Sequence, residues 1–195
     1  MNFLAHIYLS NDDPEIMVGN FIGDFVKGRN FSDLYDPKVA KGIELHRVID
    51  EYTDRHPIVL QSKIKLRPKY RHYAAVIVDI FYDHFLSRYW DDYHPVPLRS
   101  FAKHVYEILE EYRSILPADV KPMLPYMIKD NWLVNYGNLH GIGQALAGIS
   151  RRTRYESKMN ESVHELEAFY DEFKSEFQSF IPELKTHTET FLNQN

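Results

Sequence analysis

Cysteine is absent from the 195-residue chain, which excludes disulfides, thiolate nucleophiles and Cys-ligated zinc or iron–sulfur centres together. Any metal has to sit on His, Asp or Glu. Long apolar runs are missing too, and no stretch approaches the roughly 20 residues of a membrane span. The opening segment "MNFLAHIYLSNDDPE" lacks the basic region of a signal peptide, and His6 interrupts its apolar run. These absences predict a soluble, cytoplasmic protein with no membrane partner. An excess of positive charge is lacking as well: 23 Lys and Arg face 28 Asp and Glu, for a net charge of −5. Broad nucleic-acid binding needs the opposite balance, so no nucleic-acid partner is expected.

What the chain has in quantity is apolar and aromatic surface, 44% and 14% of its residues with 14 Tyr and 12 Phe, enough for burial to offset the chain entropy lost on folding. Its length fits one domain, on the order of 100–200 residues. Strand signals are scarce, with no Asn-Gly or Asp-Gly turn, while helix punctuation recurs. Asp13-Pro14 predicts an N-cap followed by proline in the first turn, with Gly28 closing that helix. Asp36-Pro37 opens another that stops before His56-Pro57. Further helices are expected over about 70–92, between Pro68 and Pro95, then about 98–115, 120–134 and 138–149. The last segment, about 155–192, should kink or split at Pro182. The expectation is an all-α fold, a single-domain helical bundle over residues 1–195.

Several ionisable residues stand on apolar faces of these helices. In "AVIVDIFYDHFLSRYW", a helix at about 100° per residue puts Ala74, Ile77, Phe81, Phe85 and Tyr89 on one stripe. Asp79 and Asp83 fall on the other side, one turn apart, but Val76, Ile80 and Leu86 flank them, so that side is not a water face. A buried carboxylate needs a partner, either a cation such as Arg47 or Arg88 or a divalent metal. In "PKVAKGIELHRVIDEYTD" the stripe of Val39 and Ile43 continues through His46 and Asp50, whose i, i+4 spacing lets two side chains reach one ion. A core histidine bonded to its own aspartate is the alternative there. "GNFIGDFVKG" puts Asn20 and Asp24 on one face, and His6 adds a donor that alone reads more simply as a core histidine.

Oxygen and imidazole donors without thiolate suit Mn²⁺, Mg²⁺ or Fe²⁺, with Zn²⁺ also within reach. Such an ion lowers the pKa of bound water and clamps phosphoryl oxygens, the chemistry of phosphoester hydrolysis. No GxSxG elbow, Walker loop or GxGxxG fingerprint offers a competing plan. Two basic stretches, "KIKLRPKYRH" and "SRRTR", read either as partner-binding patches or as solvated faces.

The blocks "MNFLAH", "GNFIGDFVKG", "GIELHRVID", "DIFYDHFLSRYW" and "ISRRTR", in this order, resemble the acyl carrier protein phosphodiesterase family, which is distantly similar to the HD-type metal phosphohydrolases. The resemblance runs from Met1 to about residue 180. It implies an all-helical fold and hydrolysis of the phosphodiester joining 4′-phosphopantetheine to a serine of holo-acyl carrier protein, usually with Mn²⁺. Carried onto this sequence, it implies His6, Asp24, His46, Asp50, Asp79 and Asp83 as metal ligands and Asp24, Asp50, Asp83 and His84 in catalysis. Arg151, Arg152 and Arg154 would hold the substrate, by its phosphate or by the acidic surface of the carrier protein. The adjacent His-Asp pair of HD enzymes occurs only in reverse, at Asp83-His84. Two other readings stay open: an HD-like phosphohydrolase acting on a nucleotide or other small phosphoester, and a helical interaction protein whose acids are merely paired. Oligomeric state is not legible in the sequence.

Overall fold

The computed structural model describes residues 1–28 and 30–194; Arg29 and Asn195, inside the expected 1–195 domain, lie outside the described residues. No strand occurs among the described residues, and the fold is all-α as the turn and proline pattern predicts. In chain order the helices are α1 (Phe3–Tyr8), α2 (Pro14–Ile22), α3 (Pro37–Arg55), α4 (Pro57–Tyr70), α5 (Ala74–Arg88), α6 (Leu98–Glu111), α7 (Leu124–Lys129), α8 (Trp132–Asn135), α9 (Leu139–Ser150), α10 (Val163–Ala168) and α11 (Tyr170–Asn193).

Proline and its preceding residue set several starts. Asp13 caps α2 by accepting from the amides of Glu15 and Ile16, and Pro37 and Pro57 stand in the first turns of α3 and α4, where a missing N–H costs no helical bond. Other boundaries differ from expectation. α2 does not run to Gly28 but ends at Ile22 and tightens into a 3-10 turn at Gly23–Phe25. α4 was not expected, because Pro68 reads as a breaker; it falls in the last turn, and exposed Ile64 leaves its carbonyl to water. Left-handed Arg71 then delays α5 to Ala74, and left-handed Asn131 divides the expected 120–134 helix into α7 and α8. The terminal segment becomes α10 and α11, and α11 continues through Pro182. Pro182 lies on the exposed face, as does Gln178 four residues earlier, so the carbonyl that loses its partner is hydrated.

α5 runs through the interior. Its Ile77, Phe81 and Phe85 are fully buried, and Phe81 and Phe85 meet Phe173 and Phe177 of α11 ring to ring. α2 and α3 pack closest of all, because a Cβ on Gly19 would fall 2.0 Å from the Val39 carbonyl oxygen, and one on Gly42 would fall 2.2 Å from that of Ile16. Two glycines facing each other let the backbones touch, and this contact sets α2 against the His46 face of α3.

The three lysines of "KIKLRPKYRH" pair with acids within the fold, while Arg67, Arg71 and His72 are exposed. Buried Lys63 on α4 pairs with Asp54 at 2.7 Å, Lys65 with Glu172 and Glu176 of α11, and Lys69 with Glu161 and Glu165 around α10.

Candidate metal centre

A six-residue helix is marginal in isolation, so α1, which carries His6, must be held from outside. Asn2 at its N-cap position makes no side-chain cap bond. The cap comes from α5: fully buried Asp83 accepts from the Leu4 amide at 2.8 Å and the Ala5 amide at 3.2 Å. Burial pushes Asp83 up to about 7, opposed by those two bonds. The Asp83 carboxylate, expected among the ligands, is turned to α1 in this geometry, each of its oxygens accepting one helix amide. His84 also stands apart. Its Nδ1 faces the Tyr136 carbonyl at 2.8 Å and its Nε2 the Tyr170 hydroxyl at 3.0 Å, tying α5 to α8 and α11.

Fixed in this way, α1 lays the His6 ring on that of His46, with centroids 3.9 Å apart and planes 12° from parallel. One α2 residue sets both rings. The Asn20 side-chain nitrogen donates to the His6 carbonyl at 2.6 Å and the Ser10 hydroxyl at 3.1 Å, so its oxygen is the acceptor facing His6 Nδ1 at 2.8 Å. The backbone carbonyl of the same residue faces His46 Nδ1 at 2.7 Å. Both Nδ1 atoms must therefore donate, and both Nε2 atoms turn toward the acids. Gly23 completes the setting: a Cβ there would lie 2.2 Å from His46 Cγ.

Around the two Nε2 atoms stand two carboxylates, with a third behind them. Asp50 lies 3.3 Å from His6 Nε2 through one oxygen and 3.2 Å from His46 Nε2 through the other, while Asp24 comes within 3.2 Å of His46 Nε2. Asp79 is one step removed, 3.1 Å from the amino nitrogen of Met1, which is also 3.6 Å from Asp50. Arg47 and Arg88, the cations considered for the aspartates, are not their partners; Arg47 donates to the carbonyls of Val26 and Gly28.

The electrostatics follow from this crowding. Burial, with the neighbouring His46 charge, pushes His6 down to about 4. For His46 burial works the same way, but hydrogen bonds to Asp24 and Asp50 outweigh it and raise it to about 9. Burial would raise Asp50, yet its bonds to the two histidines hold it far below the usual carboxylate range. The His46 ring likewise lowers Asp24. Burial raises Asp79, with the Met1 ammonium holding the rise back.

These residues fit a divalent ion. His6, His46 and Asp50 offer ligand atoms that all lie within 4.8 Å of one another. Neutral His6 with its proton on Nδ1 directs a bare Nε2 lone pair at the Asp50 oxygen and at the Met1 carbonyl oxygen 3.2 Å away. Three lone pairs facing one another attract a cation, and the Met1 ammonium already stands 3.6 Å from the Asp50 oxygen.

The cluster opens into a cavity of about 1220 Å³, lined by Asp24, Asp50 and Asp79 on one side and by Arg151 and Arg152 of the α9 end on another. Exposed Arg154 lies outside it, over the ring of Tyr155. The structure thus gathers His6, Asp24, His46, Asp50 and Asp79, and it separates Asp83 and His84 from them. Asn20 as the orienter of both histidines and Gly23 as the floor under His46 escaped sequence reasoning. The signal for Asn20 was an amide on an apolar face one turn before Asp24.

The family model described as acyl carrier protein phosphodiesterase matches residues 1–184. Among curated proteins of that name, one from Photorhabdus laumondii is 34% identical over 93% of this chain and 92% of its own. One from Yersinia enterocolitica is 31% identical over 97% and 98%, and one from Escherichia coli K12 is 35% identical over 94% and 95%. No solved structure matches the chain significantly. With a family model spanning all but the last residues and relatives covered nearly end to end, the chain belongs to the acyl carrier protein phosphodiesterase family.

Proposed function

We propose that the protein hydrolyses the phosphodiester joining 4′-phosphopantetheine to a serine of holo-acyl carrier protein, giving apo-carrier protein and free 4′-phosphopantetheine. The observation that carries this reading is a two-histidine, multi-carboxylate cluster opening into a large cavity with arginines on its wall, in a chain of this family. In this reading His6 and His46 hold a divalent ion through Nε2, and Asp50 holds it through its carboxylate, with Asp24 beside them. Mn²⁺ is the first choice for that donor set, with Mg²⁺ or Fe²⁺ next. A divalent ion bound there supplies Lewis acidity toward a phosphoryl oxygen and an activated water.

The chain's own residues do the rest. Asn20 accepts a hydrogen bond from each Nδ1–H and keeps both Nε2 atoms presented. Asp24, more exposed than Asp50 and already lowered by His46, takes the proton of the attacking water. The water oxygen bonds to phosphorus, the bond from phosphorus to the serine oxygen breaks, and that oxygen takes up the proton that Asp24 removed from the water. Arg151 and Arg152 hold the substrate's negative charge, as phosphate or as the acidic face of the carrier protein. Asp79 holds the Met1 amino group against the cluster, Asp83 keeps α1 in place, and His84 is given no part in the reaction. The work belongs to carrier-protein turnover in lipid metabolism and is placed in the cytoplasm. No helix among the described residues is long and apolar enough to cross a membrane.

Mass spectrometry of holo-acyl carrier protein incubated with the protein and Mn²⁺ tests this. The phosphopantetheine mass should be lost, and both EDTA and Asp24→Ala should abolish the loss. An intact holo-form beside turnover of a small phosphoester would move the site to the alternative substrate class.

A further inference from the structure

Glycine inside a helix weakens it relative to alanine, so an interior glycine calls for a reason. For Gly19, Gly23, Gly42 and Gly141 the reason is contact, since a Cβ on any of them would come within 2.0–2.2 Å of a neighbouring atom. Gly143 and Gly148 in α9 have no such reason, the nearest atoms to their Cβ positions being Val163 Cγ2 at 3.6 Å and an Arg151 guanidinium nitrogen at 3.9 Å, and of these two only Gly148 lines the cavity. Ile142 and Leu146 of the same helix are fully buried in the core. The Arg152 Nε donates to the Gly148 carbonyl at 3.2 Å, so one of the substrate-facing arginines is anchored at the same residue.

A cavity of about 1220 Å³ exceeds the roughly 300–1,000 Å³ that encloses most small ligands, and a phosphoserine alone would leave most of it empty. Its remaining wall mixes apolar Val76, Ile80, Met123 and Trp132 with the side-chain amides of Asn135 and Gln144. A wall that offers both apolar and amide side chains matches a linear chain of methylenes and amides, which is the chemistry of a pantetheine arm. We infer that the cavity face of α9 is the wall along which the arm lies, and that Gly148 is the specificity-determining position that keeps it open. This deepens the phosphodiesterase reading and rests on it.

The test compares the affinity of holo- and apo-carrier protein for wild type, Gly148→Ala and Gly148→Leu by calorimetry, without added metal so that cleavage does not intervene. Wild type should prefer the holo-form. In Gly148→Leu that preference should fall about tenfold or more as the side chain fills the wall, with Gly148→Ala between the two. Neither variant should melt lower than wild type, because their Cβ atoms meet nothing closer than 3.9 Å and gain helix propensity. Cleavage of holo-carrier protein by Mn²⁺-loaded wild type is scored in parallel. Failure to cleave overturns the phosphodiesterase reading and this inference with it. Cleavage by wild type together with an equal holo-preference in Gly148→Leu overturns the α9 wall alone.

Discussion

Asn20 faces the Nδ1 atoms of His6 and His46 at once, one through its side-chain oxygen and the other through its backbone carbonyl. Only the first of these contacts can be removed by mutation. Asn20→Ala should therefore free the His6 ring while leaving His46 set. Metal affinity should fall about 10- to 100-fold, the usual effect of losing a group that orients a ligand. Isothermal titration with Mn²⁺ checks this, and an unchanged affinity would rule out the orienting role.

Gly23→Ala should damage the centre from the other side. A Cβ 2.2 Å from His46 Cγ forces the ring or the turn to move. The expected result is a loss of metal affinity of tenfold or more, with a smaller loss of stability. Imidazole resonances in an NMR spectrum would show His46 displaced while His84 is not.

Removing the Asp83 carboxylate should act on stability first. Asp83→Ala leaves two buried α1 amides without their acceptor, at a cost of about 2–4 kcal/mol. At about 2–4 °C per kcal/mol for a chain of this length, the melting temperature should drop by roughly 4–16 °C. If Asp83 were a metal ligand alone, the metal-free protein would melt unchanged.

The metal-free protein should lose stability on both sides of about pH 6.5. His46 keeps its proton to about pH 9 in the fold, so its contribution is complete below its ordinary value of 6.5 and fades as pH rises through 9. His6, lowered to about 4, contributes above 6.5 and loses that contribution as pH falls through 4. Thermal melts in EDTA should trace this hump, and His46→Gln should flatten its alkaline side. Metal binding has to displace the His46 proton, so Mn²⁺ affinity should rise with pH across the same window.

Charge reversal at the cavity wall, Arg151→Glu with Arg152→Glu, should raise KM for holo-carrier protein tenfold or more or abolish turnover. Steady-state kinetics at two salt concentrations would separate steering from phosphate binding, because only the former weakens steeply with ionic strength. Unchanged kinetics would free these arginines from any part in substrate binding.

Local chemistry made α3 legible, since Asp36-Pro37 and His56-Pro57 act on the residues beside them. The His46 and Asp50 pairing was legible for the same reason, being fixed by helical spacing alone. Asp83 was legible as a buried acid but not as the cap of α1, because a partner 79 residues away leaves no mark along the chain. His84 is a similar case, with a backbone carbonyl as one partner. α4 was hidden because Pro68 reads as a breaker, while the pairing of its lysines with acids about a hundred residues away leaves no local mark.

The cap on α1 also sets an order of assembly. Leu4 and Asp83 are 79 residues apart, and a helix of six residues does not persist by itself. During synthesis, which delivers the N-terminal end first, the segment carrying His6 waits unformed until α5 has emerged and docked. The candidate metal centre is then among the last parts of this half of the molecule to form, and an ion captured there would report that the long-range topology is already in place.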